Sequence, residues 1–165
     1  TNTIKPDLPL LKVDKNNHAV KLSGAEFIVE RKNADGNTWS DVTASTSIKK
    51  QDGSDAERSQ EGYFIIPLEG VVLTDLDKGE YQIQEKVSPT GYIIEQNPVL
   101  SFKVENGVIT SNNQTISACE IENPPGAALP NAGGSGTYFF TLFGTMLMIF
   151  AGAGFMLVRR RRISA

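Results

Sequence analysis

Residues 80–86, Glu80-Tyr81-Gln82-Ile83-Gln84-Glu85-Lys86, alternate between two kinds of side chain. In an extended strand every second side chain points to the same face, so Tyr81, Ile83 and Glu85 lie together on one side. The first two predict a face that packs against an apolar core. The third is a carboxylic acid, which is costly to bury unless it is neutral or paired. The stretch therefore predicts a β-strand that carries an acid toward the interior.

Short apolar runs of the same kind recur on both sides of this strand, with turn signals between them. Asn106-Gly107 is the strongest hairpin signal, because both residue types tolerate the positive φ of a two-residue turn. Residues 46–60 are polar and predict a loop or a short helix. Strands at this spacing, without a helical period, predict an all-β sandwich. The candidate strands are residues 9–13, 25–32, 63–66, 71–73, 80–86, 99–105, 108–110 and 115–122.

The first and last runs also place polar groups in line with apolar ones. Cys119, Ile121 and Asn123 share one face of the last run, and Leu10 shares a face with Lys12 in the first. Both faces of the first run carry apolar residues, so the sequence leaves the direction of Lys12 open. A carboxyl, an amide and, if Lys12 points inward, an amine are thus in line with apolar neighbours.

Charge divides the chain into two unlike regions. Residues 1–128 carry 12 Lys and Arg against 19 Asp and Glu, whereas residues 129–165 carry four Arg and no acid. The acidic balance of the longer region argues against a nucleic-acid-binding protein. In the shorter region, residues 138–158 are uncharged and mostly apolar. A helix of this length spans roughly 31 Å, which matches a hydrocarbon core of about 30 Å and predicts a transmembrane helix.

Four arginines, Arg159, Arg160, Arg161 and Arg162, follow this span directly. Adjacent guanidinium groups resist translocation, so we expect residues 159–165 in the cytoplasm and the long N-terminal region outside the cell. The sequence begins with Thr1 rather than Met and shows no signal peptide. We interpret it as the C-terminal piece of a longer exported precursor.

Ahead of the span lies a segment of prolines and small residues. Asn123-Pro124-Pro125-Gly126 ends regular structure, because proline removes a backbone donor and fixes φ. Leu129-Pro130-Asn131-Ala132-Gly133 follows and predicts an accessible stretch that suits a protease or transpeptidase cleft. The sequence thus divides into a linker at residues 1–8, a sandwich at 9–123, a spacer at 124–137, a membrane span at 138–158 and a basic tail at 159–165.

Residues 129–162 resemble the cell-wall sorting signal of Gram-positive surface proteins: a Leu-Pro-x-Thr-Gly motif, an apolar span and a positive tail. Ala132 stands where Thr is usual, which leaves the class of sortase open. The resemblance implies that a sortase cysteine attacks the Ala132 carbonyl and cleaves the bond to Gly133. The chain would then pass from the membrane to an amine of the peptidoglycan cross-bridge or of another pilin subunit.

Two other membrane attachments use similar features. A permanent single-span membrane protein needs only the span and the arginines, and it remains an alternative. A glycolipid anchor signal also uses small residues and an apolar tail, but its tail normally ends apolar, unlike residues 159–162.

Four further segments occur in a fixed order: LKVD at residues 11–14, LSGAEF at 22–27, YQIQE at 81–85 with PTGY at 89–92, and IEN at 121–123. Together they resemble the Cna B-type, or SpaA-type pilin, domain. The resemblance implies a prealbumin-like, inverse immunoglobulin-type β-sandwich over residues 9–123. Family members often carry a spontaneous isopeptide bond between a first-strand Lys and a last-strand Asn, promoted by a Glu. By resemblance, Lys12 is the nucleophile, Asn123 the electrophile and Glu85 the catalytic acid.

The residue types suit this chemistry. A Lys with the reference pKa of about 10.4 is a cation and cannot attack. Burial lowers the pKa of a Lys and raises that of a carboxylic acid, so we expect a neutral Lys12 beside a protonated Glu85. Glu85 would donate a hydrogen bond to the Asn123 carbonyl and pass a proton to the leaving ammonia. The alternatives are a non-covalent buried cluster, or a Lys12 that pairs with surface acids.

The sequence predicts no enzyme beyond this single self-modification, and no cofactor or metal. His18 is the only histidine, and residues 52–57 lack the ligand spacing of a calcium loop. Cys119 is expected to be a small core residue. The predicted function is a wall-proximal stalk or pilin module on the cell surface. An adhesin module that binds a host or matrix ligand is the alternative.

Overall fold

Alternation of apolar and polar side chains turns most of the acidic region into β-strands. The computed structural model describes residues 4–126. Within these residues the regular structure consists of β-strands and one 3-10 turn, Thr43–Ser45. The strands are β1 Leu8–Asp14, β2 Asn17–Lys21, β3 Ala25–Lys32, β4 Trp39–Asp41, β5 Ser47–Lys50, β6 Phe64–Ile66, β7 Val71–Thr74, β8 Gly79–Val87, β9 Leu100–Glu105, β10 Val108–Ser111, β11 Gln114–Thr115 and β12 Cys119–Asn123.

The strands form two sheets with the core between them. One sheet has five strands in the order β12-β1-β7-β5, with β2 paired to β1. The other has seven strands in the order β11-β10-β9-β8-β3-β4, with β6 paired to β3. Leu8 and Leu73 of the first sheet and Phe27 and Phe64 of the second are completely buried. Each such side chain stabilises the fold by about 1.5–3 kcal/mol, so the sandwich has a core of its own.

The first and last strands of this sandwich lie side by side. β1 and β12 are parallel, and Lys12 is paired with Ile121 in their register. The other strand pairs are antiparallel. Because the two strands run in the same direction, the chain enters at one end of the sandwich and reaches Asn123 at the other.

The sheet edges are either short or charged. β4 has three residues and β11 has two. β12 carries exposed glutamates on its outer face, where His18 of β2 contacts Glu120 at 2.8 Å and Glu122 at 3.0 Å. β5, at the opposite edge of the same sheet from β12, ends in two lysines.

The all-β sandwich predicted from the sequence is confirmed. Asn106-Gly107 forms the predicted hairpin turn between β9 and β10, with φ of 53° and 76°. The expectation for residues 46–60 was wrong at its start, because Ser47–Lys50 pairs with β7 as a strand. The sequence analysis also did not predict strands β2 and β4.

Residues 4–126 contain no helix long and apolar enough to cross a membrane, and the span predicted at 138–158 lies outside the described residues.

Candidate functional site

Three polar side chains are enclosed within the apolar core. Lys12 is 0% exposed, and Glu85 and Asn123 are each 1% exposed. Charged residues are almost never fully buried unless they are paired, so their presence in the core marks this cluster as a candidate site. The sequence left the direction of Lys12 open, and in the structure it points into the core.

The two sheets supply these three groups from opposite sides. Lys12 on β1 and Asn123 on β12 belong to neighbouring parallel strands of the first sheet. Glu85 lies on β8 of the second sheet, on the same buried face as Tyr81 and Ile83. The register between β3 and β8 shifts directly after Glu85, which is the kind of irregularity found beside functional side chains.

The Asn123 side chain joins the other two groups. The Lys12 Nζ donates to the Asn123 Oδ1 at 2.7 Å and to the backbone oxygen of Ile121 at 3.1 Å. The Asn123 Nδ2 donates to the Glu85 Oε1 at 2.7 Å. The second carboxyl oxygen of Glu85, Oε2, lies 3.9 Å from the Lys12 Nζ and has no hydrogen-bond partner among residues 4–126.

Burial shifts the pKa values of both ionisable groups toward their neutral forms. It lowers the pKa of Lys12 to about 8, against a smaller opposing effect of the Glu85 charge. It raises the pKa of Glu85, while Lys12 and the Asn123 hydrogen bond act in the opposite direction. An amine and a carboxylic acid in contact in an apolar core exchange a proton readily, because the neutral pair avoids the desolvation of two charges.

The orientation of the Asn123 amide differs from the prediction. The sequence analysis expected Glu85 to contact the Asn123 carbonyl, but its Oε1 accepts from the amide nitrogen instead. The reason is the contact with Lys12: its Nζ donates to the carbonyl oxygen of Asn123, which leaves the amide nitrogen to donate to Glu85.

Two residues outside the predicted set hold this cluster in place. The Asn97 side chain donates to the backbone oxygen of Glu85 at 2.8 Å and accepts from its backbone nitrogen at 2.9 Å. Asp14, two residues after Lys12, accepts a hydrogen bond from the Tyr92 hydroxyl at 2.8 Å. Tyr92 was quoted only as the end of a motif, and no sequence period connects Asn97 with Glu85.

The other predicted site residues have separate positions. Cys119 is half-buried and packs against the core, and burial raises the pKa of its thiol. The sorting motif Leu129, Pro130, Asn131, Ala132 and Gly133 and the arginines 159–162 lie outside the described residues.

Two family models match the chain. The model of the SpaA prealbumin-like fold domain matches residues 6–115, and that of the LPXTG cell wall anchor motif matches residues 121–164. No curated protein matches the chain in sequence.

The chain is similar to several solved structures. The pilus adhesin RrgA from Streptococcus pneumoniae has a TM-score of 0.52 and 20% identity, over 76% of this chain and 16% of its own. The shaft pilin SpaA from Lactobacillus rhamnosus GG has a TM-score of 0.48 and 19% identity, over 76% of this chain and 48% of its own. The group B streptococcus pilus 2b backbone protein has a TM-score of 0.46 and 17% identity, over 74% of this chain and 42% of its own. The chain therefore spans less than half of each of these proteins, and at these identities the likeness concerns the fold.

The two sheets, with their parallel pair of first and last strands, form a prealbumin-like β-sandwich domain. The chain belongs to the SpaA prealbumin-like fold domain family, whose model matches more than half of it. The match of residues 121–164 to the LPXTG cell wall anchor motif indicates a surface protein anchored to the cell wall.

Proposed function

We propose that this chain is the wall-proximal stalk or pilin module of a surface protein, stiffened by an isopeptide bond between Lys12 and Asn123. The observation that carries the proposal is the separation of 2.7 Å between the Lys12 Nζ and the Asn123 Oδ1, in a site closed to water. Groups held in this way react with a high effective concentration, because their translational freedom is already lost.

The reaction exchanges one amide for another. The neutral Lys12 amine attacks the Asn123 Cγ, the new C–N bond forms, and Nδ2 leaves as ammonia. One oxygen of Glu85 takes the proton that Lys12 loses, while the proton that the carboxyl group already holds passes from the other oxygen to Nδ2, so the carboxyl group ends in its starting state. The unpaired Oε2, 3.9 Å from the Lys12 Nζ, suits the first transfer, and Oε1, 2.7 Å from Nδ2, suits the second.

The rate of ammonia release should depend on pH in a bell-shaped manner. The reactive state of Lys12 and Glu85 holds one shared proton, on the carboxyl group. Above pH 8, the pKa to which burial lowers Lys12, this proton is lost and the rate should fall about tenfold per pH unit. In acid a second proton binds, the amine becomes an ammonium, and the rate falls again.

This profile needs a chain that has not yet reacted. Residues 1–118 and 119–132 can be joined in denaturant by native chemical ligation at Cys119, the single cysteine. Dilution into buffers of different pH then starts folding and reaction together, and intact-mass spectrometry follows the loss of ammonia. Folding should be followed in parallel by the fluorescence of Trp39. A rate that is flat from acid to alkaline pH would contradict a proton shared by Lys12 and Glu85.

Such a bond would turn the sandwich into a rigid spacer. Pulling force enters through β1 and leaves after β12, and the bond would join these two strands directly. The force would then bypass residues 13–122, so the antiparallel pairs among them would not be stretched. This is the property that a stalk needs between a cell wall and a distant domain.

We further propose that sortase cleaves between Ala132 and Gly133 and transfers Ala132 to an amine of the wall or of another subunit. The support is the order of motif, span and arginines together with the anchor match at residues 121–164.

Incubation with the cognate sortase and an amine should give a product in which Ala132 is the last residue and is joined to the amine. A chain without residues 129–133 should stay intact, and one without residues 134–137 should still be cleaved. Release of the protein from cells by detergent alone would instead favour a permanent membrane span.

A further inference from the structure

The loop between β8 and β9, residues 88–99, contacts the cluster without supplying any of its three groups. It begins with a tight turn in which the Tyr92 nitrogen donates to the Pro89 oxygen at 3.0 Å. Gly91 has a φ of 84° in this turn, which side-chain-bearing residues rarely adopt. The Ser88 hydroxyl donates to the Tyr92 oxygen at 2.9 Å. These bonds fix the position of the Tyr92 backbone.

The side chain of Tyr92 holds the strand that carries Lys12. Its hydroxyl donates to the Asp14 Oδ2 at 2.8 Å, and Asp14 is 8% exposed. The other carboxylate oxygen accepts from the backbone nitrogens of Asn16 at 2.6 Å and Asn17 at 3.1 Å. The Tyr92 hydrogen bond lowers the pKa of Asp14 and raises that of Tyr92. The contact is therefore a charge-assisted hydrogen bond, which is stronger than a neutral one.

The backbone of the same turn holds the segment that follows Asn123. Tyr92 forms an isolated β-bridge with Pro125. The Ile93 nitrogen donates to the Pro124 oxygen at 3.1 Å, and the Gly126 nitrogen donates to the Gly91 oxygen at 2.8 Å. One turn thus fastens both strand ends that carry the reacting groups.

The far end of the loop fixes the third group. Regular pairing of β8 with β9 ends at the pair Ile83 and Leu100, two residues before Glu85. The Asn97 side chain continues the ladder by pairing with both the nitrogen and the oxygen of the Glu85 backbone. The loop is therefore joined to all three chain segments of the cluster.

We propose that the β8–β9 loop assembles the reacting groups, and that Tyr92 is a positioning residue which sets the approach of Lys12 to Asn123 through Asp14 and residues 124–126. The inference rests on the proposed isopeptide bond. The rate of an intramolecular reaction is sensitive to small displacements of the reacting groups. Tyr92 contacts Asp14 at the end of the Lys12 strand and Pro125 just after the Asn123 strand, so its position affects both groups.

The test compares two variants, Tyr92→Phe and Tyr81→Phe, each of which lacks one phenol hydroxyl. Both are prepared unreacted by ligation at Cys119 and refolded by dilution from denaturant. Tyr92→Phe should slow the loss of ammonia roughly tenfold, since a displacement of a fraction of an ångström is sufficient. Tyr81→Phe is the matched control, because its hydroxyl also donates one hydrogen bond, to the Asp77 oxygen at 3.0 Å. It should react at the wild-type rate. Asp14→Ala should slow the reaction at least as much as Tyr92→Phe does, because it also loses the bonds from Asn16 and Asn17. The double variant should be no slower than Asp14→Ala alone.

A separate measurement excludes a general loss of stability. In a Lys12→Met background, which cannot react, Tyr92→Phe and Tyr81→Phe should both remain folded under the conditions of the reaction, although the free energy of unfolding should fall more for Tyr92→Phe, whose hydroxyl bonds a charged group. If Tyr92→Phe reacts as fast as wild type, the positioning role is wrong while the bond stands. If the wild-type chain itself keeps all its ammonia, both the bond and the positioning role are wrong.

Discussion

We expect the wild-type sandwich to be lighter than its sequence mass by one ammonia, and Glu85→Ala to have the full mass. Alanine removes the group that takes up the proton of Lys12 and protonates the leaving nitrogen, and general acid–base catalysis of this kind contributes about 10²–10⁴ in rate. In its absence no buried group carries the proton from Lys12 to the Asn123 Nδ2. Intact-mass spectrometry of residues 1–132 measures the outcome directly, and fragmentation should locate the link between Lys12 and Asn123.

Glu80→Ala is the matched control for this experiment. Glu80 lies on the same strand as Glu85 but is exposed and pairs with Lys32 at 2.8 Å. Its variant should lose ammonia as the wild type does. A wild-type chain of full mass would eliminate the bond, and a Glu85→Ala chain that lacks ammonia would eliminate the proposed role of Glu85.

The second large effect concerns stability. Lys12→Met keeps a long unbranched side chain in the core but removes the amine, so no bond can form. Lys12 and Asn123 are separated by 111 positions in the chain. A crosslink that closes a loop of this size stabilises the folded state by about 4–5 kcal/mol through the entropy of the unfolded chain. For a unit of this length that corresponds to a fall in Tm of roughly 15–20 °C, measurable by calorimetry.

Combining Lys12→Met with Glu85→Met separates the bond from a non-covalent cluster. Replacing both members of a buried ion pair with apolar side chains of similar size is often neutral or stabilising, whereas removing only one member is strongly destabilising. A cluster without a bond therefore predicts no loss of stability in the double variant, whereas a bond predicts a large loss. Lys21→Met, at an exposed position of β2, should change the free energy of unfolding by less than about 0.5 kcal/mol.

How far the fold could be predicted depended on how each strand is buried. β3 and β8 bury an apolar face, and their limits agree with the predicted runs to within one residue. β2 is exposed at every position, so it has no alternation to detect. β5 buries only Ile48, and its pairing with β7 rather than its composition makes it a strand.

The sequence identified the three residues of the candidate site, but it did not identify Asn97 and Tyr92, which hold them in position. The period of two placed Glu85 and Asn123 on the same face as apolar residues, and in the structure both side chains lie on the buried face of their strands. The direction of Lys12 depended on β7 and β12, strands distant in sequence, and no local pattern contains that information. The contacts of Asn97 and Tyr92 arise where a loop folds back over two strand ends, which leaves no periodic signal.

The short and charged sheet edges have a consequence for proteins anchored densely on one surface. An open edge offers unpaired backbone groups to any neighbouring chain, and crowded copies would join through it. Among residues 4–126, β4 and β11 are too short to offer a useful template, and β5 and β12 bear lysines and glutamates. At the margins of copies packed side by side on a wall, these short or charged strands would therefore disfavour edge-to-edge pairing of backbones.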